Sequence, residues 1–170
     1  MVDDPMTASP AAGRVPGPLS RLGLGLVGFV VILDQITKQI AEAKLGYQEY
    51  IDILPILALY RVHNTGIAFS FAHGFDSLIL VVGTAIVTLI VLYLWKSATE
   101  GGTLVAVGFA LIVGGAVGNL IDRAIHGYVI DFLYLHIGGR GFFVFNLADV
   151  ALTIGPVLLA WFYLFVQKKA

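Results

Sequence analysis

FDSLILVVGTAIVTLIVLYLW, from Phe75 to Trp95, carries one charge, Asp76, at its second position and is apolar on every face of a helix. A bilayer's hydrocarbon core is about 30 Å thick, so roughly 20 residues at about 1.5 Å rise cross it. This stretch has that length and composition. Three more stretches match it: about 22–43, 103–121 and 149–166. An even number of spans leaves both termini on one side of the membrane.

Composition agrees with a lipid solvent, since 58% of the 170 residues are hydrophobic and 12% are charged. A net charge of -1 argues against a nucleic-acid partner. The absence of cysteine excludes disulfides, thiol catalysis and cysteine-based metal centres. The first two helices do not resemble the last two, so there is no transporter-like repeat. The leader through Arg21 is rich in Pro, Gly, Ala and Ser and reads as a disordered tail, leaving residues 22–170 as one membrane domain. The first span continues into Asp34 and Lys38 without a small-residue cleavage site, which marks it as a mature helix.

The positive-inside rule leaves orientation undecided. Arg14, Arg21, Lys96, Lys168 and Lys169 fall on one side, and Lys38, Lys44, Arg61, Arg123 and Arg140 on the other. The Lys168-Lys169 end and Arg21 lean toward cytoplasmic termini.

Polar residues inside so apolar a chain require a reason. Asp34 and Lys38 are four apart on one helix face, either a neutralised pair near the interface or a buttress for a site. The following loop contains IDILPILALYRV, which suggests short strands or a segment lying on the membrane. In NTGIAFS, Asn64 and Gly66 carry turn chemistry. The third helix ends GGAVGNLIDRAIHG, where Gly114 and Gly118 allow close helix approach and Asn119, Asp122 and Arg123 lie near one face. Asp122 beside Arg123 can be a helix-end ion pair or part of a site.

Two acids remain. Asp149 opens the fourth helix after Asn146, and capping is its plainer explanation. Asp131, inside VIDFLYL, has no such explanation. An acid at membrane depth costs about 2.5–3.5 kcal/mol on insertion scales and usually faces a watery or protein-lined interior. Two anions about 4 Å apart at an effective dielectric near 20 repel by roughly 4 kcal/mol, enough to raise one pKa by about three units. One carboxyl then activates water while the other protonates a carbonyl oxygen, the aspartic-protease arrangement. The histidines show no HExxH spacing and no serine lies in GxSxG, which disfavours zinc and serine hydrolases. Two other classes stay open: a small channel or transporter subunit, and a structural assembly protein.

DQITK, NTGIAFS, GGAVGNLIDR, GYVIDF and FNLAD, in that order over about residues 22–166, resemble the lipoprotein signal peptidases (signal peptidase II) of bacteria. The resemblance implies a four-helix inner-membrane aspartyl peptidase with cytoplasmic termini, a small extracytoplasmic β cradle and a site toward the extracytoplasmic face. It implies cleavage of diacylglyceryl-modified prolipoproteins just before the lipidated cysteine, contact with membrane lipids, inhibition by globomycin-like peptides, and no cofactor or metal. On its pattern Asp131 and Asp149 match the catalytic pair. Asn64, Gly66, Asn119, Arg123, Asn146, Asp34, Lys38 and Asp122 match residues that line or support the site. Val144 stands where the family often has Pro, so the shape of the segment joining the two acids is an open point.

Overall fold

The computed structural model describes residues 13–66, 77–138 and 140–167. Along the chain run α1 (Arg21–Lys44), β1 (Tyr50–Leu54), β2 (Leu57–Asn64), α2 (Ser77–Ser97), α3 (Gly102–His126), β3 (Val129–Ile137), β4 (Arg140–Phe145) and α4 (Leu147–Trp161). A π-helical turn, Phe162–Val166, continues α4. Among the described residues four helices are long and apolar enough to cross a membrane, the last extending from Leu147 to Val166. The third helix runs five residues further than the sequence suggests and ends at Gly127, whose φ of 78° suits glycine. That extra turn carries Asp122 and Arg123 and delivers the chain straight into β3.

α3 is the centre of the bundle and touches α1, α2 and α4. Glycine makes those contacts possible. A Cβ on Gly114 would lie 2.7 Å from the Val30 side chain of α1, and one on Gly118 would lie 2.5 Å from Asp34 Oδ2. On its other side, Gly115 would meet the Ala148 carbonyl at 2.5 Å, and Gly108 and Gly155 bring α3 and α4 together further along. α2 leans on α3 alone among the larger contacts and leaves Ile79, Val82, Ile86, Val87, Leu89 and Ile90 exposed, as a lipid-facing helix does.

The expected disordered leader does not extend to Arg21. Val15 is buried among Trp95, Val105, Phe109 and Phe162, and the Trp95 indole donates to the Pro16 carbonyl at 2.9 Å. Ser20 then caps α1 by accepting from the Gly23 amide at 3.0 Å. An extended Pro-Gly segment has no hydrophobic period, yet one apolar side chain and one carbonyl suffice to seat it against the bundle end.

The four strands form one antiparallel sheet in the order β1-β2-β3-β4. Leu57 and Leu59 oppose Leu135 and Leu133, but Val62 opposes Asp131. Three steps along β2 therefore match two along β3, so β2 carries one extra residue. Because side chains alternate with period two, this bulge turns Val62 and Asn64 onto the face of Asp131. Near the β3 start, Phe132 packs on Ala41 and Leu45 at the end of α1, fixing the sheet to the bundle.

Candidate active site

Where α3 and α4 meet the sheet, polar side chains replace the apolar packing. Asp131 is 2% exposed and accepts two amide hydrogen bonds, at Oδ1 from Asn146 Nδ2 at 2.7 Å and at Oδ2 from Asn64 Nδ2 at 2.9 Å. The bulge in β2 makes the second bond possible. Asn146 is the N-cap of α4: its side-chain oxygen accepts from the Asp149 amide at 3.0 Å, and Asp149 Oδ2 accepts from the Asn146 amide at 3.1 Å. This is a capping box. The other Asp149 oxygen accepts from Asn119 Nδ2 at 2.8 Å. Capping and site membership, alternatives in the sequence, coincide in Asp149, and Asn146 is bonded to both acids.

Behind this pair sits a buried charge cluster. Lys38 Nζ lies 2.8 Å from Asp34 Oδ2, 3.0 Å from Asp122 Oδ2 and 2.9 Å from Asn119 Oδ1. Asp34 and Lys38 are fully buried, so this is not a snorkelling pair at the interface. Asp122 accepts from Gln35 Nε2 at 2.8 Å and from the Ile130 amide at 3.1 Å. Its ionic partner is Lys38 rather than Arg123, because the last turn of α3 points the two neighbours in different directions. Arg123 Nη2 instead reaches the Gly66 carbonyl at 3.5 Å, and its Nε has no hydrogen-bond partner among the described residues.

The ammonium also fixes amide orientation. With Asn119 Oδ1 turned to Lys38, its Nδ2 must face Asp149; the same Oδ1 accepts from Asn146 Nδ2 at 3.1 Å. That bond holds the Asn146 amide with its nitrogen toward Asp131 and its oxygen toward the Asp149 amide. Sequence reasoning does not single out Gln35, which also reaches the Gly118 carbonyl at 3.2 Å. Its only signal was its place inside DQITK.

The Asp131 carboxyl is pushed up to about 7. Burial is the largest cause and the Asp149 charge the next, while the amides of Asn64 and Asn146 and the Lys38 charge pull it partly back. Near neutral pH the pair can therefore hold one proton. All ten residues expected at the site are described and meet at this end of the bundle, but residues 67–70 of NTGIAFS lie outside the described residues. No group of three or more His, Cys, Asp or Glu suited to a metal ion occurs among the described residues.

Four membrane-crossing helices capped by a small sheet, with two acids linked through one asparagine where they meet, make this end of the bundle the candidate active site of a membrane-spanning protein. Residues 26–165 match the signal peptidase (SPase) II family, and the chain belongs to that family. It is similar to the lipoprotein signal peptidase of Mesorhizobium japonicum, 45% identical over 136 residues that make up 80% of this chain and 81% of that protein. The Brucella ovis lipoprotein signal peptidase is likewise 45% identical over 136 residues, 80% of this chain and 85% of that protein. Two solved bacterial membrane enzyme structures, obtained by the in meso method at 2.3 and 1.9 Å, superpose with TM-scores of 0.78. They are 29% and 28% identical and match 89% and 91% of this chain, and 92% and 97% of their own. The chain is thus a multi-pass membrane protease, and its family removes signal peptides from prolipoproteins.

Proposed function

We propose that Asp131 and Asp149 form the water-activating pair of an endopeptidase that cuts prolipoproteins just before a diacylglyceryl-modified cysteine. The observation that carries this reading is Asn146, whose side chain donates to the Asp131 carboxylate and whose backbone amide donates to the Asp149 carboxylate, holding the two acids at one place. In the productive state the pair has one proton. The ionised carboxylate takes a proton from water, the water oxygen attacks the scissile carbonyl carbon, and the protonated carboxyl gives its proton to the carbonyl oxygen. Collapse of the tetrahedral intermediate breaks the C–N bond, with a proton passing to the leaving amine. The amides of Asn64, Asn119 and Asn146 hold the carboxylates in register, and Lys38 holds Asn119.

The substrate's chemistry suits this depth. Diacylglyceryl chains stay in the bilayer while the adjoining peptide bond lies near the interface, so lipid anchoring supplies local concentration and orientation. The reading places both termini in the cytoplasm, the sheet and site at the outer face of the inner membrane, and globomycin-like peptides in competition with substrate. A diacylglyceryl-modified prolipoprotein and its unlipidated twin, incubated with the detergent-purified protein and compared by gel shift, test it. Cleavage of the lipidated form alone is expected, and equal cleavage of both would overturn the lipid requirement. A channel subunit would cut neither.

A further inference from the structure

The sheet carries a cleft away from the acid pair. It has a volume of about 310 Å³ and is lined by Tyr50, Tyr60, Tyr134 and His136. Register places Tyr50 opposite Tyr60 and Tyr134 opposite Ala58, on the sheet face away from Asp131. The three phenol rings pack on one another with centroids 5.5–6.4 Å apart, tilted or edge-on, and together line the cleft. Tyr134 lies over Gly141, where any Cβ would strike its hydroxyl.

One acid stands at the rim. Asp52 Oδ1 accepts from the Tyr50 hydroxyl at 2.8 Å and lies 3.4 Å from His136 Nε2, with its side chain 66% exposed. That hydrogen bond pushes the Tyr50 phenol above its ordinary range, so the ring keeps its proton. No lysine or arginine forms an ion pair with Asp52 among the described residues. Electron-rich ring faces next to a carboxylate without a permanent cation suit an ammonium ion.

Position selects its source. Phe132, two residues before Tyr134 and on the same face, packs on Ala41 and Leu45 where α1 ends. α1 is one of the helices long and apolar enough to cross a membrane, so a cleft beside the strand that packs on its end stands near the interface. Both hairpin ends near the cleft carry large exposed apolar side chains: Leu54, Ile56, Ile137 and Phe142 are each more than half exposed. The His136 amide bonds the Ile56 carbonyl at 3.0 Å and ties the two ends together. Such a rim is at home in an interfacial layer and unfavourable in water.

We propose that the Tyr50, Tyr60 and Tyr134 cleft, with Asp52 at its rim, binds the ammonium group of a zwitterionic phospholipid headgroup. The site is separate from peptide-bond cleavage and stands whether or not the acid pair is catalytic. It would hold the sheet at a fixed height over the bilayer.

The test uses the full chain in phosphatidylglycerol vesicles doped with chain-spin-labelled phosphatidylcholine or phosphatidylglycerol. Electron paramagnetic resonance measures the motionally restricted fraction of each label. The wild type is expected to favour the choline headgroup about threefold, the size of an exposed cation–π contact. Asp52→Asn and Tyr60→Leu should each bring the ratio close to one. Tyr60→Leu leaves the protein's charge unchanged, which separates ring recognition from general attraction of charged lipid. Thermal stability and far-ultraviolet circular dichroism in detergent report that each variant is folded, and the exposed Asp52→Asn tests the site should Tyr60→Leu misfold. Soluble phosphocholine should release the restricted label. No headgroup preference in the wild type, an unchanged preference in folded variants, or release by a lysine peptide and not by phosphocholine would overturn the proposal.

Discussion

Asp131 shows how one residue's surroundings set its chemistry. Burial and the Asp149 charge hold its proton up to about pH 7, whereas an unfolded chain releases it near the ordinary 3.8. Between those pH values the native state binds more protons than the unfolded state, so this group's contribution to stability falls as pH rises from about 4 to 7. The full difference is on the order of 4 kcal/mol. Asp131→Asn should flatten that part of the thermal-stability profile in detergent while abolishing turnover. Asp149→Asn should also be inactive but less stable, because its new NH2 must face either the Asn119 amide nitrogen or the Asn146 amide. Wild-type kcat/KM should decline as pH rises through about 7, where the pair loses its remaining proton. Near wild-type turnover in either variant would remove that residue from the pair.

At the scale of elements, α1 contributes no acid to the pair yet reaches it through Asn119. Lys38 compensates Asp34 and Asp122 in a space with no water-exposed surface and turns the Asn119 amide toward Asp149. Replacing it by Met leaves two buried carboxylates uncompensated, for which about 3–5 kcal/mol is the usual loss. Lys38→Met should therefore lower thermal stability markedly. In any fraction that stays folded, the alkaline limb of the pH profile should move to higher pH, since the ammonium pulls the Asp131 proton affinity down. An unshifted profile in folded protein would show that Lys38 acts on stability alone. Asp122→Asn should be milder on turnover and cost mainly stability, now through Lys38 and the Ile130 amide rather than through Arg123.

At the scale of the molecule, α3 is a central post, close-packed through glycines to α1 and α4, and its ends open to opposite sides of the bilayer. One end meets the seated segment 13–20, the other the sheet and the acids. Reporter fusions after Ser97 and after Gly138 should therefore mark opposite compartments, with Ser97 inside under the proposed orientation. The same compartment for both would contradict an odd number of crossings between them. The reverse assignment would overturn the orientation and the outward-facing site.

The sequence alone determined the helices, because crossing lipid requires long apolar runs and these are local properties. It also exposed the two acids, since charge inside such runs is costly, and the ordered motifs carried the family. Tertiary structure decided the rest, because the deciding contacts join distant residues. The extra residue in β2 that turns Asn64 toward Asp131, the choice of Lys38 over Arg123 as partner of Asp122, and the seat of Val15 under Trp95 leave no local period to read. The same holds for Asp149: its spacing from Asn146 announced a cap, but only packing α4 against α3 brought Asn119 to its other oxygen and made a capping carboxylate half of a pair.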